Sequence, residues 1–270
     1  MALLSFPAPY DFELSTGRYR SFGPDLANLW TDGGLHRVVD GREVRLTAAP
    51  GGADAEPLDP KAERVLRHYL GAPFDLDAFY AFAAGADPTL REIVARFPGY
   101  RPPLAPDPFE TLVTSITAQQ VSLYAAFAIR NRLIERFGVR AVHAYAFPTR
   151  EAIAAAAPEQ LVAVGFSRRK AEYATGIARS DLDLDALAEL PDDEIRARLV
   201  ALPGIGEWTV DWFLARHLAR PTAWPAGDLA LRKALAAFYP ELTDARAAGE
   251  RFHPFENLTA HYLLLAYVTR

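Results

Sequence analysis

Leu202-Pro203-Gly204-Ile205-Gly206-Glu207-Trp208-Thr209, followed by Trp224-Pro225-Ala226-Gly227-Asp228, is the stretch that decides how this chain is read. Two glycines one residue apart separate an apolar helical pattern (Ile195, Leu199) from a second one (Val210, Phe213, Leu214, Leu218). Glycine takes positive φ without steric cost, so the spacing predicts a tight turn between two helices. The second helix then starts with several backbone N–H groups exposed, where the helix dipole favours an anion. Asp228 lies twenty-two residues after Gly206, where a further helix, Leu229 to Phe238, is expected to begin.

Each part has a plain structural reading beside a functional one. The turn is either an ordinary connection or a clamp of backbone amides on DNA phosphates, which would grip a duplex without reading its sequence. Asp228 is a favoured N-cap, and an N-capping carboxylate stays ionised and can still face a cleft. Trp208 and Trp212 are four residues apart on one helix face, as core residues or as walls of a pocket for a flat base.

Outward from this stretch, the second half of the chain reads as helical. Asp107-Pro108-Phe109-Glu110 has an N-cap, a proline at the first helical position and a glutamate placed as in a capping box. The helix it opens ends at Thr117-Ala118-Gln119-Gln120, whose adjacent amides are either surface residues or probes of a duplex. A helix from Ser122 to Phe137 is closed by Gly138, and more are expected at 150–156, 158–164, 169–178, 192–201, 207–218, 229–238 and 257–268. Gly165-Phe166-Ser167-Arg168-Arg169-Lys170 puts three cations at a helix start, against the dipole, which suits a solvated face or a phosphate partner.

The first part reads as β-rich. Leu35 to Val39 and Glu43 to Leu46 flank Asp40-Gly41, a strong hairpin signal. Asp11 to Tyr19 shows partial alternation and is expected as a strand, and 51–58 as a loop. Asp59-Pro60 then opens a helix that stops at Gly71. The expected fold class is α+β, a small β-rich domain over 1–90 followed by an all-helical region over 91–270.

Composition narrows the chemistry. Half the residues are hydrophobic, enough for a packed core. Cysteine is absent, which excludes disulfides, thiol nucleophiles and iron–sulfur ligation and suits a cytosolic setting. No signal-peptide pattern or bilayer-length apolar run is present. The net charge of −5 argues mildly against nucleic acid, but it averages over the whole surface. The six histidines, at 36, 68, 143, 217, 253 and 261, show no metal-ligand spacing, and no serine-hydrolase elbow, phosphate-binding loop or dinucleotide fingerprint occurs.

Taken together, the hairpin, the Trp224 to Arg232 segment, Ile116 to Ser122 and the Gly165 to Ala171 turn resemble the helix-hairpin-helix (HhH-GPD) DNA glycosylase superfamily. The nearest likeness is to bacterial 3-methyladenine DNA glycosylase II, and Pro9-Tyr10-Asp11-Phe12 resembles that branch's extra N-terminal domain. The resemblance implies excision of alkylated purines of the 3-methyladenine and 7-methylguanine class from double-stranded DNA by base flipping. It makes Asp228 the essential carboxylate and Gly204, Ile205, Gly206, Thr209, Arg168 and Lys170 the backbone grip. It places Trp208, Trp212, Gln119 and Gln120 at the base pocket or as the wedge. A monovalent Na+ or K+ at the hairpin is expected, with no catalytic metal, and a monomer. The strand-nicking branch carries a Schiff-base lysine where this chain has Trp208, so base removal without lyase activity is implied. Pro254-Phe255-Glu256-Asn257 replaces the common Pro-Trp-Arg-Ser, and Leu264 stands where the alkylpurine branch has a tryptophan. Both departures bear on substrate range, and a glycosylase for oxidised or deaminated purines, or a non-catalytic helix-hairpin-helix module that binds damaged DNA, stay as alternative readings.

Overall fold

The computed structural model describes residues 2–270. The chain begins with β1 (Ala2–Ser5) and a short helix α1 (Phe12–Thr16), then β2 (Leu29–Thr31), β3 (Gly34–Val39), β4 (Arg42–Ala49) and β5 (Gly52–Glu56). The five strands form one antiparallel sheet in the order β1-β5-β4-β3-β2. The β3–β4 hairpin turns at Asp40 and Gly41, both at positive φ (50° and 74°), the geometry a two-residue turn needs to follow strand twist. Leu35 pairs with Leu46 in the register, and both are fully buried. That face of the sheet packs on Phe12 of α1 and on Leu66 and Tyr69 of α2 (Pro60–Tyr69).

Two expectations are corrected here. Asp11 to Tyr19 is helical, because the Asp11 carboxylate caps the chain by accepting from the Leu14 amide at 2.8 Å. Residues 52–56 form a strand. Gly-Ala-Asp-Ala-Glu carries no β-branched residue, and pairing on both sides, with β1 and β4, imposes the conformation.

Helices α3 (Leu76–Ala86) and α4 (Pro88–Ala95) follow, then α5 (Pro108–Ala118) and α6 (Leu123–Phe137). A two-stranded ribbon, β6 (Val139–Arg140) and β7 (Tyr145–Ala146), interrupts the helical run. The remaining helices are α7 (Arg150–Ala155), α8 (Pro158–Ala163), α9 (Arg168–Arg179), α10 (Asp192–Val200), α11 (Glu207–Arg216), α12 (Leu229–Phe238) and α13 (Glu256–Val268). The fold class is α+β, with the helical part falling into two cores. One gathers Leu112, Ile116, Leu133, Ile177, Leu199 and Phe213. The other joins α3 and α4 to α12 and α13 through Phe79, Leu90, Leu235 and Tyr262. Leu264 packs against both cores, so α13 lies on their seam.

The capping box expected at Asp107 is half formed. Asp107 accepts from the Glu110 amide at 2.6 Å, but the Glu110 side chain is used elsewhere. Its two oxygens accept from Arg37 of β3 at 2.7 Å and Arg130 of α6 at 2.6 Å. Arg130 also pairs with Asp25, and all four groups are buried. This cluster fastens the sheet to the helical part.

Candidate functional site

The hairpin turn between α10 and α11 depends on its first glycine. Gly204 has φ +87°, and a Cβ there would fall 2.2 Å from the Tyr173 ring, so no side chain fits. Gly206 differs. Its φ is −111°, it caps α11 without a side chain, and a Cβ there would meet nothing within 4 Å. The protein's own packing therefore does not require glycine at 206. Small bulk and uncapped first-turn amides at a helix N-terminus suit close approach by an anion. Ile205 is buried and anchors the turn in the core, leaving its backbone for any outside contact.

Two further turns are tied to this one. Gln119, at the C-terminus of α5, donates from Nε2 to the Gly204 carbonyl at 2.9 Å and lies 3.5 Å from Thr209 Oγ1. Thr209 is buried, so its side chain faces Gln119 and not the outer surface. Lys170 donates to the Thr117 carbonyl at 3.0 Å, which links the N-terminus of α9 to the end of α5; partial burial lowers its pKa. Arg168 is exposed and paired with Glu159 and Glu172, both at 3.3 Å. Gln120 is exposed at φ +55°, an uncommon conformation for a non-glycine residue, beside exposed Val121, Leu123 and Tyr124. Gln119 thus staples the turns together, while Gln120 projects from them.

Asp228 is the N-cap of α12, as the sequence suggests, and does more. Its Oδ1 accepts from the amides of Ala230 (2.9 Å) and Leu231 (3.0 Å). Its Oδ2 accepts from the indole N–H of Trp208 (2.9 Å) and of Trp212 (3.0 Å). Four neutral donors converge on one half-buried carboxylate at a helix N-terminus. The two tryptophans therefore aim the carboxylate. Trp212 is only 3% exposed and packs edge-on to His261 at 5.6 Å, so it belongs to the core at the site's base. Trp208 is the half-buried one.

Sequence reasoning missed Arg216 and His261, which pack on the Trp212 ring behind this carboxylate. Arg216 lies a turn beyond Trp212 on the same helix face, with its Cζ 3.5 Å from the Trp212 ring centroid. Burial, and the charge of Arg18, bring its pKa down to about 9, while Asp228 acts in the opposite direction. His261 is held neutral, its pKa pushed down to about 3 by burial and by the charge of Arg216. The four-residue spacing of Trp208, Trp212 and Arg216 was legible as one stripe; the approach of His261 is tertiary.

His36, Glu43 and His143 also come together, though nothing in their spacing announced it. Both imidazoles bond Glu43 Oε1, at 2.8 and 2.9 Å, and Oε2 accepts from the amides of His143 and Ala144. The carboxylate is saturated, and the group latches the ribbon to the sheet.

The HhH-GPD superfamily base excision DNA repair protein family matches residues 113–252, from α5 through the hairpin to the segment after α12. The chain belongs to this family. It is 31% identical to DNA-3-methyladenine glycosylase 2 of Escherichia coli over 95% of this chain and 94% of that one. It is 32% identical to a DNA-3-methyladenine glycosylase of Bacillus subtilis over 66% of its length. Among solved structures, a 3-methyladenine DNA-glycosylase from Archaeoglobus fulgidus superposes with a TM-score of 0.88 at 29% identity, covering 99% of both chains. The chain spans 62% of the Bacillus relative and 51% of a Mycobacterium tuberculosis relative that it also matches. Among the described residues no helix is long and apolar enough to cross a membrane.

Proposed function

We propose that this HhH-GPD protein is a monofunctional DNA glycosylase that flips a damaged purine out of duplex DNA and hydrolyses its N-glycosidic bond. The observation that carries the reading is Asp228, a carboxylate fixed by four N–H groups beside an uncapped helix start. The named activities of the relatives support alkylated purines as the substrate class.

In this reading the amides at Gly204, Gly206 and the first turn of α11 hold the backbone phosphates, with Arg168 and Lys170 at the neighbouring turn. Gln120 enters the gap left by the flipped nucleotide. Its projecting left-handed conformation and apolar neighbours suit that task. Asp228 stabilises the oxocarbenium-like sugar and takes the proton of the attacking water. A purine alkylated at N3 or N7 leaves as a neutral molecule and needs little acid catalysis, so one carboxylate suffices.

Lyase activity would need an amine nucleophile. Trp208 and Trp212 contact Asp228, and an indole N–H has no free lone pair for attack. The one lysine at the linked turns, Lys170, is tied to Thr117. A monovalent Na+ or K+ would be held by hairpin carbonyl oxygens, a hard, neutral donor set suited to such an ion and to neutralising a nearby phosphate. The Gly204 carbonyl already accepts from Gln119. We take the acting species to be a monomer.

Chromatography of bases released from duplexes carrying 3-methyladenine or 7-methylguanine tests the activity. Free base with an intact abasic strand, and no covalent adduct on borohydride reduction, is expected. Strand cleavage with a trapped adduct would overturn the monofunctional reading, and absence of any released base would overturn the glycosylase reading.

A further inference from the structure

His36 of β3, Glu43 of β4 and His143 of the turn between β6 and β7 bring three metal-ligating atoms within 4.8 Å of one another. No other such group occurs among the described residues. The register pairs His36 with Arg45 and Val38 with Glu43, so His36 and Glu43 are diagonal neighbours on one face of the hairpin. Each imidazole turns its Nδ1 to the same oxygen, Glu43 Oε1, at 2.8 Å for His36 and 2.9 Å for His143. The two ring centroids are 4.7 Å apart.

The ribbon is already fastened without these rings. Glu43 Oε2 accepts from the amides of His143 and Ala144 at 2.8 and 3.0 Å, and the Tyr145 amide donates to the Leu26 carbonyl at 2.8 Å. The two amides at Oε2 also pin the carboxylate, which holds Oε1 between the imidazoles. A histidine buried for structure ordinarily finds partners for both nitrogens, yet His36 Nε2 is buried with none. What the pair of rings adds is two nitrogen donors aimed at one point beside a fixed carboxylate oxygen.

We propose that His36 Nδ1, His143 Nδ1 and Glu43 Oε1 form a structural site for a divalent transition ion of the zinc type. Two imidazole nitrogens and one carboxylate oxygen suit such an ion, whereas calcium and magnesium take oxygen ligands. Ligand atoms in a tetrahedral zinc site stand about 3.3 Å apart, so the present spacing opens by roughly half an ångström on binding. The ion takes the place of the ring protons at Nδ1, and those protons move to Nε2. In His143 that nitrogen faces Asp32 Oδ2 at 3.6 Å, a carboxylate placed to orient a metal-bound imidazole and to balance the second positive charge. His36 Nε2 is unpartnered whichever nitrogen carries the proton, so the exchange breaks no bond there. The His143 side chain is 41% exposed, which leaves an entry path and room for water as a fourth ligand. A bound ion would clip the ribbon to a hairpin a hundred positions away in sequence, adding its binding free energy to that of folding. No residue of the Asp228 site takes part, so the proposal stands apart from the glycosylase reading.

The test is calorimetric titration of the tag-free, chelator-stripped full chain with zinc, cobalt(II) absorption spectra, and thermal midpoints with and without zinc. Stoichiometric zinc binding, visible cobalt bands and a raised midpoint are expected. His143→Ala, at the exposed ligand, is expected to abolish the cobalt bands, to weaken zinc binding at least tenfold and to remove the zinc-dependent rise in midpoint. Asp32→Asn is expected to weaken zinc binding by about tenfold. Absence of zinc binding, calcium bound as tightly as zinc, or zinc affinity unchanged in His143→Ala would overturn the proposal. So would a His143→Ala midpoint lowered equally with and without zinc, the result of a hydrogen-bonded latch alone.

Discussion

Two groups of arginines in this chain obey opposite rules. At the junction of sheet and helices, Arg37 and Arg130 are buried with Glu110 and Asp25, two cations against two anions. Asn28 completes the set by donating to Asp25 at 2.9 Å and accepting from Tyr69 at 2.9 Å. Arg18 and Arg216, by contrast, are half-buried with neither an ion pair nor a side-chain hydrogen bond among the described residues. The first group is closed electrostatically and serves the fold. The second is left open, and Arg216 stacks on Trp212, which donates to Asp228.

The sharpest way to break this contrast is to open the closed cluster. Glu110→Gln removes the shared anion and leaves two buried guanidiniums with Asp25 alone. We expect a loss of about 3–5 kcal/mol in denaturant unfolding, with base release per folded molecule retained. A loss near zero would show that burial, and not charge pairing, holds the sheet to the helices.

The hairpin sharpens the same distinction with two glycines. Gly204→Ala puts a Cβ against Tyr173 at positive φ and should cost about 3 kcal/mol. Gly206→Ala should cost no more than about 1 kcal/mol. It should nevertheless weaken binding severalfold to damaged and undamaged duplex alike, as measured by titration at fixed salt. A loss restricted to damaged duplex would argue against a backbone clamp.

Protons probe the seam next. His217 and His261 are neutral in the folded protein, burial pushing their pKa values down to about 4 and about 3 from an ordinary 6.5. The unfolded chain therefore binds protons first as the pH falls. This stability is fully present above pH 6.5 and is lost progressively toward the folded pKa values. By about pH 5 the loss is roughly 2 kcal/mol for each residue. Unfolding curves that coincide at pH 7 and pH 5 would contradict neutral, buried imidazoles at these positions.

Much of this architecture was legible because its signals are local. Aspartate N-caps at 59, 107 and 228, the Asp40-Gly41 turn and the Gly204 turn each act within a few residues, and the helices they bound lie where expected. Two of the misreadings depend on distant partners. Residues 52–56 are a strand because β1 and β4 flank them, and Glu110 leaves its capping role because Arg37 and Arg130 reach it from other elements. At the site, Asp228 and the hairpin were visible as spacing, whereas the indole hydrogen bonds were not. Arg18 and Arg216 stayed hidden for the same reason: an unpaired charge is recognised only when every neighbour is known.

The central claim is that Asp228 performs the chemistry while the hairpin performs the grip. Asp228→Asn separates them, because the asparagine oxygen still caps α12 while the charge is lost and an NH2 group replaces the oxygen that accepts from the two indoles. Single-turnover release of 7-methylguanine or hypoxanthine from a defined duplex, measured with duplex affinity on the same preparation, is the direct test. The account predicts affinity within about threefold of wild type and base release reduced at least a hundredfold. Base release at the wild-type rate in that variant would contradict it.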